Sequence, residues 1–203
     1  MSKRPSFFEW FRVGPIILMA VAFFVCIILY ETETTFSKSI FYPVHYGDMI
    51  EESAERHGVD PYLACAIIKC ESDWDEWAMS NVGAVGLMQV MPSSAQTMAD
   101  WGSVDPIEYP VADLEVPRIN IEYGCAMLAY LSSELNSTEE VVAAYNAGLG
   151  NVQDWTKGGA DIASAITYPE TAAYLEKVMN ALEGYRTSYP VGITDRSSTA
   201  NDR

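Results

Sequence analysis

From Val13 to Tyr30 the chain runs 18 residues without a charged side chain. At about 1.5 Å of rise per residue, a helix of that length nearly spans a hydrocarbon core, so the segment is read as membrane-inserted. Lys3, Arg4 and Arg12 precede it, and Glu31 and Glu33 follow it. The positive-inside bias then puts residues 1–12 in the cytoplasm and everything beyond Tyr30 outside. A cleaved signal peptide is the rival reading. Against it, "VCIILYETETT" shows no small-x-small cleavage pattern, and the apolar region would be unusually long. Cys26 follows Val25 rather than a small residue, which argues against a lipoprotein. The expected order is an uncleaved signal anchor over 13–30, a polar tether over 31–43, a folded domain over 44–188 and a disordered tail over 189–203.

Of the formal net charge of −16, the part before the run contributes +2 and the part after it −18. A nucleic-acid partner is excluded, because phosphate binding needs clustered Lys and Arg. Nearly half the chain is apolar, enough for one real core. That core is expected to be mainly α, since apolar residues recur at helical spacing and runs of alternating apolar and polar residues are absent.

The helical segments begin near His45, restart at "VDPYLACAIIKCES" with Asp60 as N-cap and Pro61 in the first turn, and resume at "PSSAQTM". After a loop punctuated by Pro106, Pro110 and Pro117 they continue over residues 120–135, over 138–148, and from Glu170 to about Tyr185. Cys65 and Cys70 are five apart on one predicted helix and cannot bond each other there. Either could bond Cys125, or all three could be small buried apolar groups. With only His45 and His57 available, a zinc centre is improbable, and nothing calls for a metal or cofactor.

Glu71 is the candidate for chemistry. Ile67 and Ile68 lie four and three positions before it, so on a helix the carboxylate continues an apolar stripe. Burial there disfavours its charged form and raises its pKa, which suits a general acid for a poor leaving group such as a glycosidic oxygen. A lone Glu at a helix end is more often simply solvated, so position alone does not decide.

Its context does. Glu71-Ser72, "GLMQVMP" at 86–92, "AYNAG" at 144–148 and "ETAAY" at 170–174 stand in that order, with "NIEYGCAMLAYL" at 120–131 between them. This pattern resembles the catalytic domain of lytic transglycosylases of the soluble type, the glycoside hydrolase group related to goose-type lysozyme. The resemblance covers roughly residues 44–188 and implies a single lysozyme-like catalytic domain acting on peptidoglycan glycan strands. The implied reaction cleaves the β-1,4 bond between N-acetylmuramic acid and N-acetylglucosamine. Glu71 would act first as acid and then as base, giving a 1,6-anhydro end, unlike the paired carboxylates of most glycosidases.

The resemblance also implies substrate-binding roles for Ser72, Met88, Gln89, Tyr145, Asn146, Glu170 and Tyr174. Met88 would offer an apolar wall, Gln89 and Asn146 amides for sugar groups, and Tyr145 a donor to a carboxylate. Gly83 and Gly86 would let backbone approach a sugar, or mark a simple turn. Trp74 and Trp77 are candidates for stacking on sugars or for packing. The family often has Arg after Glu-Thr where this chain has Ala172, so any contact of that arginine is in doubt. Asp73 or Asp75 activating water would make the chain a hydrolytic muramidase instead. The non-enzymatic alternative is a wall-binding or scaffold protein.

Overall fold

A computed structural model describes residues 15–26 and 41–194. The chain divides into two units, residues 1–43 and 44–203. In the first, residues 15–26 form a helix, α1, whose Ile16, Ile17, Leu18, Met19, Val21, Phe23, Phe24 and Val25 are exposed. The two ends of the 13–30 run, like most of the tether, lie outside the described residues. Among the described residues no helix is long and apolar enough to cross a membrane.

The second unit is built of helices α2 (Gly47–His57), α3 (Pro61–Glu71), α4 (Pro92–Asp100), α5 (Pro117–Glu134), α6 (Thr138–Ala147), α7 (Leu149–Trp155), α8 (Ile162–Ala165) and α9 (Pro169–Ser188), with one 3-10 turn at Val111–Asp113. Proline opens four of them, α3, α4, α5 and α9, where its missing N–H and fixed φ cost nothing. Pro117 therefore starts a helix rather than ending a loop, and α5 begins three residues earlier than the expected segment. Helices α7 and α8 were not foreseen; each is short and has one buried residue, Val152 and Ile162.

Two helices have long runs buried on every side and form the centre. Leu63 to Ile68 are all buried in α3, and Ile119 to Ala126 are all buried in α5. Burial of each large aliphatic side chain is worth about 1.5–3 kcal/mol. Helix α3 packs on α9, α6 on α9 and α5, and α2 on α5. Residues 72–91 run as an irregular loop carrying two isolated bridges, Met79 with Val85 and Val85 with Val90. The expected tail differs at its start. Ile193 is buried, the Tyr62 hydroxyl donates to the Tyr189 carbonyl, and the Thr194 amide donates to Glu51. Residues 189–194 thus pack on the domain through one buried side chain and two hydrogen bonds, and residues 195–203 lie outside the described residues. Cys65 and Cys125 are buried and free, and Cys70 is half-buried and free.

The α2–α5 seam holds a buried charge. Glu122, 3% exposed, accepts from Arg56 Nη1 and pairs with His57 Nε2 at 2.9 Å. Burial alone would raise its pKa, but the bonds from His57 and Arg56 outweigh that and hold it below the ordinary value. A depressed carboxylate contributes stability above its unfolded pKa, about 4, and loses it as pH falls through the folded value. Glu122→Gln is therefore expected to cost about 2 kcal/mol or more at neutral pH in urea denaturation. That cost should shrink as the pH drops below about 4, where the wild type loses the same charge.

Candidate active site

Helix α3 ends on Glu71, which lies half-buried against α9. Asp60 caps the start of α3 by accepting from the Tyr62 amide at 2.9 Å. The turn that follows is sharp. Asp73 and Trp74 both have positive φ, 52° and 70°, a conformation that side chains resist. Burial of Trp74 offsets it: the ring is 8% exposed, lies edge-on to His45, and its Nε1 donates to the Tyr185 hydroxyl at 3.0 Å. Trp74 is thus a packing residue, whereas Trp77 is 73% exposed.

Helix α9 crosses the end of α3 and supplies the partner of the acid. The Tyr174 hydroxyl donates to Glu71 Oε1 at 2.7 Å, across 103 positions of sequence. Burial raises the Glu71 pKa above its ordinary value, against the opposing effects of the Tyr174 bond and of the Lys177 charge. Tyr145 and Tyr174 are pushed well above the ordinary tyrosine range, first by burial and then by the negative charge of Glu71. Both stay hydroxyls, and so donors, at any working pH.

The loop 86–92 is held by side-chain bonds to its backbone carbonyls. The Tyr145 hydroxyl donates to the Met88 carbonyl at 2.8 Å, and the Ser72 hydroxyl donates to the Leu87 carbonyl at 2.8 Å. Gln89, at φ 47°, donates from Nε2 to the carbonyls of Ala78 and Gly86, both at 3.0 Å. Met88 is fully buried. Asn146 is exposed and accepts from the Thr171 hydroxyl at 2.8 Å, while Glu170 is exposed in the first turn of α9. Of the residues singled out from sequence, Glu71 and Tyr174 are joined directly and Tyr145 faces them electrostatically. Ser72 and Gln89 use their donors on the loop's own backbone. Asp73 and Asp75 are exposed and turned to local partners, Lys69 and the Trp77 amide.

Sequence reasoning placed Asn120 at the start of a motif but gave it no role; it is fully buried in α5. Its Oδ1 accepts from the Met88 amide at 2.7 Å, and its Nδ2 donates to the carbonyls of Val85 and Leu114, both at 2.8 Å. One turn on, Gly124 lies against the Met88 side chain, where any Cβ would collide with it. The Asn-x-x-x-Gly spacing was itself the signal, since i and i+4 share a helix face. A cavity of about 450 Å³ adjoins Tyr145 and Asn146, walled by Met98, Trp101, Met127 and Tyr130, with no charged side chain in its lining. Trp101 and Tyr130 meet edge to face at 5.0 Å.

A half-buried carboxyl with a raised pKa and a tyrosine hydroxyl on one of its oxygens can transfer a proton to an uncharged, oxygen-rich ligand. The soluble lytic murein transglycosylase of Salmonella typhimurium is 32% identical over 136 residues, covering 66% of this chain and 21% of its own length. The membrane-bound lytic murein transglycosylase C of Edwardsiella ictaluri is 35% identical over 171 residues, covering 70% and 46%. The chain thus spans less than half the length of either relative. Among solved structures, an inactive mutant of lytic transglycosylase Slt from Pseudomonas aeruginosa superimposes with a TM-score of 0.70 at 28% identity, over 76% of this chain and 26% of its own. The soluble lytic transglycosylase in complex with bulgecin A gives 0.67 at 30% identity, over 76% and 26%. The fold is therefore the mainly helical, lysozyme-like one. Residues 48–165 match the family model described as the transglycosylase SLT domain, more than half of the chain, and the chain belongs to that family.

Proposed function

We propose that this chain is a membrane-anchored lytic transglycosylase that cleaves the β-1,4 bond between N-acetylmuramic acid and N-acetylglucosamine in peptidoglycan, leaving 1,6-anhydromuramic ends. The observation that carries the reading is the bond from the Tyr174 hydroxyl to Glu71 at the end of a buried helix face. With Oε1 occupied, the transferable proton rides on Oε2. The raised pKa favours the protonated form, which gives its proton to a glycosidic oxygen as the C1–O bond breaks. The carboxylate then draws the proton from the muramic 6-hydroxyl as its oxygen closes on C1. Water is not consumed. Ser72, Met88, Gln89, Tyr145, Asn146, Glu170 and Tyr174 remain the proposed substrate-side residues. For Ser72, Met88 and Gln89 the contribution is through the loop they shape.

Membrane attachment rests on the uncharged run 13–30 and on the membrane-bound relatives of this family. In that arrangement the N-terminus is cytoplasmic and the domain faces the wall. Mass spectrometry of the products from purified sacculi tests the reading. Anhydromuramic ends are expected. Reducing muramic ends would make the chain a hydrolytic muramidase, and no products at all would leave a wall-binding protein.

A further inference from the structure

Helix α9 presents two side chains, Tyr174 and Lys177, to the last turn of α3. They are three positions apart and so lie on one face. Tyr174 reaches the Glu71 carboxyl, and the Lys177 ammonium donates to the carbonyl of Cys70, the residue before it, at 2.9 Å. That carbonyl belongs to the unsatisfied, negative end of the helix, a natural seat for a cation. The nearby Lys69 is engaged differently, since it pairs with Asp73. Lys177 instead rests on a neutral carbonyl, so its charge is available to the neighbouring carboxyl.

We propose that Lys177 is a positioning residue of the proton relay: seated on the Cys70 carbonyl, its ammonium is the counter-charge of the Glu71 carboxylate between the two proton transfers. The role rests on the reading of Glu71 as acid and then base. In the first transfer the Glu71 proton goes to the leaving oxygen as the C1–O bond breaks. In the second, the 6-hydroxyl proton returns to Glu71 as the new O–C1 bond forms. Lys177 takes no part in either transfer, and its charge lowers the cost of the charged interval.

The other titratable groups facing Glu71 are Tyr174 from α9, Tyr145 from α6 and Cys70 from α3 itself. Burial holds all three neutral, the Cys70 thiol being pushed up to about 11 even with Lys177 opposing. Lys177 is exposed, so in the free enzyme water and salt screen its effect. A glycan strand lying over the site would exclude that water and strengthen the interaction during turnover.

Lys177→Met removes the charge and keeps most of the stem, and Lys177→Arg keeps the charge. Carbon-13 NMR titration of the Glu71 carboxyl, assigned by its loss in Glu71→Gln, reads the effect without requiring activity. Lys177→Met is expected to raise the midpoint by a few tenths of a unit at low salt. That difference should close in about 1 M salt, and Lys177→Arg should titrate like the wild type. On sacculi, Lys177→Met is expected to lower kcat roughly tenfold with little change in KM, and to move the alkaline limb of the kcat profile upward. Lys177→Arg should recover most of the rate. Loss of activity with an unmoved midpoint, or an arginine variant as impaired as the methionine one, would overturn the proposal in favour of a purely structural role. Wild-type protein is assayed first. If it releases nothing, the acid–base reading itself fails; if it is active and Lys177→Met is indistinguishable from it, only the role of Lys177 fails.

Discussion

Glu71→Gln is expected to leave a folded protein whose release of anhydromuropeptides falls by at least about a thousandfold, because one carboxyl performs both proton transfers. The amide keeps an oxygen for the Tyr174 hydroxyl, so the contact between α3 and α9 survives. The same variant should be more stable than the wild type at neutral pH. Burial raises the folded pKa of Glu71 above its unfolded value. The wild type therefore loses stability as pH rises from the unfolded value, about 4, through the folded one, while the glutamine variant does not. The gain is on the order of 1 kcal/mol for each unit of the shift and vanishes below about pH 4. Urea denaturation at pH 7 and pH 3.5 measures both ends. A variant that still releases muropeptides would remove Glu71 from the chemistry, and one less stable at pH 7 would remove the premise that its charge is costly.

Local signals in the chain reached as far as the helix that carries the acid. Asp60 and Pro61 mark its start, and the spacing of Ile67, Ile68 and Glu71 marks its buried face, all within one short segment. The partner of the acid is a different kind of fact. Tyr174 meets Glu71 only because α9 returns across α3, and no local period encodes that crossing; it was reachable only through the order of the motifs. Residue type also left direction open. Ser72 and Gln89 were read as substrate-binding and Tyr145 as a donor to a carboxylate; in the free protein each uses a donor on a backbone carbonyl within or beside the loop. The prolines misled for a physical reason as well: Pro117 breaks a helix that approaches it and starts one that leaves it, and composition does not distinguish the two. Trp101 and Tyr130, 29 positions apart, share a cavity wall that no sequence pattern announces.

Asn120→Leu is expected to cost roughly 3–6 kcal/mol, because a side chain of similar volume would leave the buried Met88 amide without an acceptor and the carbonyls of Val85 and Leu114 without a donor. That is a large part of the stability of an ordinary domain. The loop so released carries the carbonyls that hold Tyr145 and Ser72, so activity should be lost even at temperatures where the helices persist. A double-mutant cycle with Gly86 separates the bonds from the packing. A Cβ on Gly86 would lie 2.6 Å from Asn120 Nδ2 and 2.9 Å from its Cγ, and the backbone there has φ 73°. Gly86→Ala thus pays for both collision and conformation in the wild-type background. In Asn120→Ala the collision with that side chain is gone, leaving the backbone strain, about 1 kcal/mol, and a tight 3.2 Å approach to the Leu114 carbonyl. The two substitutions should therefore cost less together than the sum of each alone, by about 1 kcal/mol or more, as read from denaturant midpoints. Strict additivity would mean that the glycine is required for its backbone alone, and that the loop does not depend on the close approach of Asn120.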